Sequence, residues 1–189
     1  VTPEVLATGP GWTERAAALV RAARPGPAGN RLVTVDGFSG AGKSTLAAEL
    51  SRELAAPLLE AEDLCPGWSG LERVPELARR GIGDPLAAGE TLRWTAWDWA
   101  GDGWGPVRER APAGIVVLEG CGSGAGPMHP VTSLAFWVDV PAAVREQRLR
   151  DRADWPLYRP YRETWRRAEA ALAATGRARE RAGVLLVPA

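Results

Sequence analysis

The sequence predicts an α/β fold: a parallel β-sheet with helices packed on both faces. Short apolar runs at 31–36, 57–62, 114–120, 134–140 and 184–188 are separated by segments of helical periodicity. The runs are apolar throughout instead of alternating, as expected of strands covered on both sides. Glycine-rich stretches sit at strand ends, where folds of this kind place their sites.

Each element has its own justification. Residues 13–24, TERAAALVRAAR, read as a helix with Thr13 as its cap, closed by PGPAG. RLVTVD at 31–36 is a strand running into Gly37. From 43 to 56 the pattern is helical, with Leu46, Leu50 and Leu54 four residues apart, and Pro57 stops it. PLLEAE at 57–62 is a second, short strand. LERVPELARR at 71–80 suggests a helix that Pro75 weakens. GIVVLEG at 114–120 and LAFWVDV at 134–140 are strands of the buried type. Pro141 suits the first turn of a helix over 141–152. The longest helical segment is 160–182, with Tyr161, Trp165, Ala168 and Leu172 on one face and Gly176 as its break. VLLVP at 184–188 closes the chain as a strand. With no repeat, low-complexity tail or domain boundary, residues 1–189 read as one domain.

Composition narrows the functional classes. Basic and acidic residues number 23 each, so no basic excess points to nucleic acid. A single histidine excludes a histidine-rich metal site. No apolar run is long enough to span a bilayer, and no basic, apolar leader opens the chain. Cys65 and Cys121 form no paired motif and read as free thiols of a reducing compartment, so a cytoplasmic setting is the expectation.

One stretch carries most of the chemistry. Gly37-Phe38-Ser39-Gly40-Ala41-Gly42-Lys43-Ser44 fills the pattern GxxxxGK[ST], with a strand before it and a helix after it. Glycines let the backbone curl until several N–H groups converge, and the positive end of the next helix adds to their pull on phosphate oxygens. Lys43 would reach the β- and γ-phosphates of a nucleoside triphosphate, Ser44 would give an oxygen to Mg²⁺, and Thr45 would help the helix start.

The remaining candidates are single residues weighed against ordinary structural roles. Glu62 and Asp63 follow the second strand, where a carboxylate can face the γ-phosphate and orient or deprotonate an acceptor hydroxyl. Asp63 is favoured because it lies further into the loop; a solvated acid or a helix cap is the alternative. Glu119 ends the strand GIVVLEG, a position from which a carboxylate can hold Mg²⁺ or its waters, or touch the second substrate. Arg145, Arg148 and Arg152 share a helix face that Arg150 does not; one of these could bridge oxygens of the moving phosphoryl group, although this chain places arginine on every helix. RWTAWDW at 93–99 sets three tryptophans around Asp98, and Trp68 sits beyond Asp63. These rings, with Trp97, could line an acceptor pocket to which Arg93 and Asp98 make polar contacts, or could pack a small helical cover over the sheet. His129 reads as a loop residue and not a base.

Taken together, VTVDGFSGAGKSTLA, LEAEDL, VVLEG and FWVDV…RLRDR resemble the uridine kinase-like branch of the P-loop kinases, in motif order over about residues 31–155. The resemblance implies a three-layer P-loop NTPase fold with a five-stranded parallel sheet flanked by helices, and ATP with Mg²⁺ as donor. It implies that Asp63 faces the acceptor hydroxyl, that Leu118-Glu119-Gly120 is the family's VEG-like strand, and that Arg150 belongs to its Arg-Asp pair. It divides the chain into a Trp-rich acceptor side at about 64–110 and an Arg-rich lid at about 145–155. Two departures concern the acceptor: Asp63 is followed by Leu64-Cys65-Pro66-Gly67-Trp68 and not by an aromatic pair, and RWTAWDW does not read as the family's acceptor hairpin. The expectation is phosphoryl transfer to a small-molecule hydroxyl. The alternatives are a nucleotide acceptor, held by Arg93 with Arg79 or Arg80, and a non-catalytic ATP-binding regulator. No NKxD motif supports a GTPase. The Trp-rich surfaces are equally compatible with pocket, core or a homodimer interface.

Overall fold

The computed structural model describes residues 2–189. In chain order the elements are β1 (Glu4–Ala7), α1 (Trp12–Ala22), β2 (Arg31–Asp36), α2 (Lys43–Leu54), β3 (Leu58–Glu60), α3 (Val74–Ala78), α4 (Asp84–Ala88), β4 (Leu92–Asp98), β5 (Gly103–Arg110), β6 (Ile115–Glu119), β7 (Leu134–Val138), α5 (Ala142–Arg150), α6 (Trp155–Tyr158), α7 (Arg162–Gly176), α8 (Ala178–Arg181) and β8 (Val184–Val187).

Six strands make a parallel sheet in the order β1-β8-β7-β2-β6-β3. Alternate side chains point to opposite faces of a strand, so one strand feeds two cores. On β2, Leu32 joins Leu118, Leu71, Ile82, Met128 and Leu149 on one face. Val33 and Val35 join Leu50, Phe136, Leu186 and the α1 residues Ala16, Ala17 and Val20 on the other. The result is three layers: α1 and α2 over one face, α3, α4 and α7 over the other.

The sheet has one strand more than expected. β1, with sequence EVLA, pairs with β8 from Glu4 opposite Val184 to Ala7 opposite Val187. It is an edge strand of which only Leu6 is buried, while Val5 is 64 % exposed, so it leaves no apolar run to read in the sequence. The second difference is at 92–110: β4 and β5 form an antiparallel hairpin, so the tryptophans of RWTAWDW belong to a strand and its turn and not to a helical cover. Leu92, Trp94 and Ala96 are buried while the residues between them face outward, which is the period of a strand. Asp98 holds the turn by accepting the N–H groups of Ala100 and Gly101 at 3.0 and 3.1 Å.

Helix ends also differ in detail. The left-handed Gly11 precedes α1, and the Thr13 hydroxyl turns to Glu14 instead of capping the helix. Pro75 lies in the first turn of α3, where a missing N–H costs nothing, so the helical path continues through Ala88. The break after α7 is made by Arg177 in the left-handed conformation, φ 52°, one residue beyond Gly176.

Phe136 is fully buried at the centre of the α1–α2 face. Phe136→Ala is expected to cost about 3–5 kcal/mol, measured as a lower denaturation midpoint at unchanged slope.

Candidate functional site

The site grows from the adjacent ends of β2 and β6. Gly42, φ 94°, turns the chain into α2, and Gly40, φ 78°, sits so close to α5 that a Cβ there would lie 2.5 Å from the Arg145 carbonyl oxygen. The loop therefore curls tightly over the first turn of α2.

Lys43 opens α2 with a buried side chain. Its ammonium donates to the Phe38 carbonyl at 3.2 Å and to Cys121 Sγ at 3.3 Å. Burial lowers its pKa, but Cys121 and the carboxylates of Glu169, Glu119 and Asp36 outweigh that and raise it, so the charge is held. The Ser44 hydroxyl donates to Glu119 Oε1 at 2.9 Å, and Glu119 Oε2 is buried without a hydrogen-bond partner among the described residues. Burial raises the Glu119 pKa, against the pull of Lys43 and the Ser44 hydrogen bond. A hydroxyl and an unsatisfied carboxylate oxygen side by side suit a hard divalent cation. Among the described residues no cluster of three or more metal-ligating acids, histidines or cysteines occurs. Mg²⁺ takes one or two protein oxygens and completes its shell with water and phosphate, and Ser44 and Glu119 offer two such oxygens.

These groups open onto a cleft of about 420 Å³. Ser39, Gly40, Gly42, Lys43, Ser44, Thr45 and Glu119 form its floor, and Glu62, Arg148 and Trp68 face the same space. A second cavity of about 310 Å³ adjoins it, sharing Gly42, Thr45 and Arg148. That cavity is bounded by Leu46, Val138, Val140, Val187 and Pro188, with Arg148 as its one charged side chain.

The other sequence candidates fall elsewhere. Asp63 does not line the cleft: its carboxylate accepts Trp94 Nε1 at 3.3 Å and pairs with the Arg108 guanidinium, docking the hairpin. Its neighbour Glu62 faces the cleft, and burial raises its pKa against the opposing charge of Arg152. Arg148 Nη1 donates to the Ala41 carbonyl at 3.1 Å, whereas Arg150 is 61 % exposed and faces Glu146. Arg93 pairs with Glu109 on the hairpin at 2.6 Å, Asp98 is spent on its turn, and Trp97 packs edge-on against Trp104 at 5.2 Å. Arg79 and Arg80 pair with Asp84 and Glu76, away from the cleft. Trp68 reaches the cleft, stacked on Tyr161 at 4.5 Å.

The structure adds residues that sequence reasoning passed over. Glu169 of α7 is 5 % exposed, and its Oε1 accepts the Ser39 N–H at 2.6 Å and the Cys121 thiol at 3.2 Å. Trp165, one turn earlier, donates Nε1–H to the Ser39 hydroxyl at 3.0 Å. The apolar face of this helix was visible in the sequence, and Glu169 lies four residues beyond Trp165 on it. A carboxylate interrupting an apolar helix face was the available signal.

Asp63→Ala leaves the buried Trp94 N–H without a partner and frees the half-exposed Arg108. The expected loss is about 1–2 kcal/mol, read as a lower thermal midpoint.

No family model matches the chain, and no curated protein is similar to it in sequence. Solved structures are similar in fold. A possible uridine kinase from Bacillus stearothermophilus aligns over 92 % of this chain and 96 % of its own, at 18 % identity and a TM-score of 0.67. A candidate fructose transport system kinase from Silicibacter sp. TM1040 aligns over 92 % of this chain and 97 % of its own, at 20 % identity and a TM-score of 0.57. At these identities the likeness is one of fold: a three-layer α/β architecture on a parallel sheet.

Proposed function

We propose that the protein is an ATP-dependent kinase that moves a phosphoryl group onto a hydroxyl of a small molecule, with Mg²⁺. The observation that carries this reading is the convergence of the glycine loop, Lys43, the Ser44–Glu119 pair and Glu62 on one cleft. The fold shared with two chains described as kinases supports it.

In this reading the N–H groups of the loop and the start of α2 bind the donor's phosphates, and Lys43 places a fixed positive charge against them. The adjoining cavity between Leu46 and Pro188 is apolar enough for a flat nucleobase. Ser44 and Glu119 would hold Mg²⁺, which neutralises phosphate charge when bound. Arg148 is the arginine we assign to the moving phosphoryl group, because it lines both cavities and Arg150 lines neither. Glu62, in the place first expected of Asp63, takes the acceptor's proton. Phosphoryl transfer asks the protein for positioning and charge more than for covalent chemistry, and this arrangement supplies both. The finer assignment to a uridine kinase-like branch rests on motif order; the acceptor end is this chain's own. We place the acceptor side at 64–110 and the lid at 145–155 of a single domain, working in the cytoplasm.

ATP consumption with Mg²⁺ across a panel of alcohols, with products identified by mass spectrometry, tests the activity. Lys43→Ala is expected to abolish measurable ATP binding. Glu62→Gln is expected to lower kcat about 10²–10⁴-fold while ATP affinity stays unchanged; near-normal turnover would remove Glu62 from the mechanism. Because the active form is the carboxylate and burial raises its pKa, kcat/KM should fall on acidification from a pH above the 4.5 of an ordinary glutamate. That limb is read from the pH profile of the wild-type enzyme.

A further inference from the structure

The kinase reading leaves the acceptor unnamed, and the aromatic wall of the cleft speaks to its chemistry. That wall is made by Trp68, Leu71, Val74, Tyr158 and Trp165, with Cys65 beneath. Three of these are aromatic, and they form one cluster: Trp68 lies 5.7 Å from Tyr158 and 5.8 Å from Trp165, ring centre to ring centre. Trp68 and Trp165 are thereby fixed in place and present apolar surface to whatever enters.

Charge on this side is sparse. Glu62 faces the cleft, and Arg152 is held in a two-pronged pair by Asp154, Nε to Oδ1 at 2.8 Å and Nη2 to Oδ2 at 2.5 Å. The two together are neutral. Arg79, Arg80 and Arg93, the candidates for a second anion site, all pair with carboxylates elsewhere. Lys43 and Arg148 line the same cleft but are bonded to the glycine loop, where the donor's own phosphates would take their charge. Beside the aromatic residues, an acceptor bearing a phosphate or carboxylate would meet Glu62 and a guanidinium already paired with Asp154, and a like charge in a half-buried cleft is costly. A sugar would need several hydrogen-bonding side chains, because every hydroxyl stripped of water must be satisfied. The wall offers one such group beyond Glu62 and the Arg152–Asp154 pair. The Tyr158 side chain is 7 % exposed, and its hydroxyl finds no hydrogen-bond partner among the described residues. The Ser39 hydroxyl, its polar neighbour, receives the Trp165 N–H and does not meet the phenol in hydrogen-bond geometry. A buried phenol without a protein partner calls for one, and a polar group of a ligand can supply it.

We infer that the acceptor is a neutral alcohol with an aromatic body, seated against Trp68 and Trp165 and addressed at one polar point by the Tyr158 hydroxyl. This rests on the kinase reading above. The acceptor oxygen attacks the γ-phosphorus of the nucleoside triphosphate; the new O–P bond forms as the bond to the diphosphate breaks. The acceptor's proton passes to Glu62 and then to solvent.

The test has two readouts. ATP binding is measured first by calorimetry, with Lys43→Ala as the control. ATP consumption is then followed with 2-phenylethanol and chloramphenicol as aromatic alcohols, against uridine, fructose, shikimate and UMP. The inference expects an aromatic alcohol to raise consumption about tenfold or more above the other probes. It expects Tyr158→Phe to raise that alcohol's KM about threefold to tenfold at unchanged kcat, with ATP affinity unaltered. Preference for uridine, fructose, shikimate or UMP overturns the inference and leaves the kinase reading standing. ATP binding without response to any aromatic alcohol also overturns it. Failure to bind ATP removes the kinase reading itself. An unchanged KM in Tyr158→Phe overturns the role of the phenol.

Discussion

A single carboxylate that cannot reach water holds the site together. Asp36 ends β2, is 4 % exposed, and accepts the N–H groups of Gly37 at 2.7 Å, Gly122 at 3.0 Å and Gly124 at 2.9 Å. Burial raises its pKa; the three amides and Lys43 pull the other way. It can serve two loops because β2 and β6 are hydrogen-bonded neighbours in a parallel sheet, so their C-terminal ends emerge side by side. Lys43 on one loop and Glu119 and Cys121 on the other are thereby kept within reach of each other.

A buried charge is tolerable only when paired and hydrogen-bonded, and around the loop the pairing is shared by several helices. α5 reaches in with Arg145 and Arg148, which donate to the carbonyls of Ser39 and Ala41 at 3.3 and 3.1 Å. α7 reaches in with Glu169, which accepts the Ser39 N–H, and with Trp165, which donates to the Ser39 hydroxyl. The loop is thus gripped by its carbonyls from one side and by an N–H and a hydroxyl from the other, before any ligand is considered. Such preorganisation is what electrostatic catalysis requires, since dipoles already aimed need not reorganise during the reaction. The aromatic cluster extends the same packing outward: Trp165 holds Ser39 and also lies against Trp68, so one helix supports both the aromatic lining of the cleft and the glycine loop.

Local pattern was reliable where the answer was local. The spacing separated Arg145, Arg148 and Arg152 from Arg150, which the resemblance favoured; in the structure α5 ends at Arg150, so Arg152 lies beyond the helix, Arg148 and Arg152 line the cleft, and Arg150 is exposed beside Glu146. The choice between Glu62 and Asp63 was different. They are adjacent in a short turn, Ala61–Leu64, and nothing in the turn itself decides which one points inward. Asp63 is drawn away by Trp94 and Arg108, from a hairpin that begins 29 residues later and closes with its second strand. The hairpin was obscured because a Trp-rich alternation is a weak signal until a partner strand is known, and the edge strand β1 was obscured because it buries so little.

The sequence by itself determined the glycine loop between a strand and a helix, the run of parallel strands, and the lysine, serine and glutamate that meet at the strand ends. These follow from torsional freedom at glycine and from apolar periodicity, both properties of neighbouring residues. Only the tertiary structure decided which of two adjacent carboxylates faces the cleft, and that Glu169 reaches a loop 130 residues away in the chain. The same holds for the phenol of Tyr158, which has no hydrogen-bond partner among the described residues. Each depends on what another segment places opposite, and a one-dimensional pattern carries no record of contacts closed by folding over such separations.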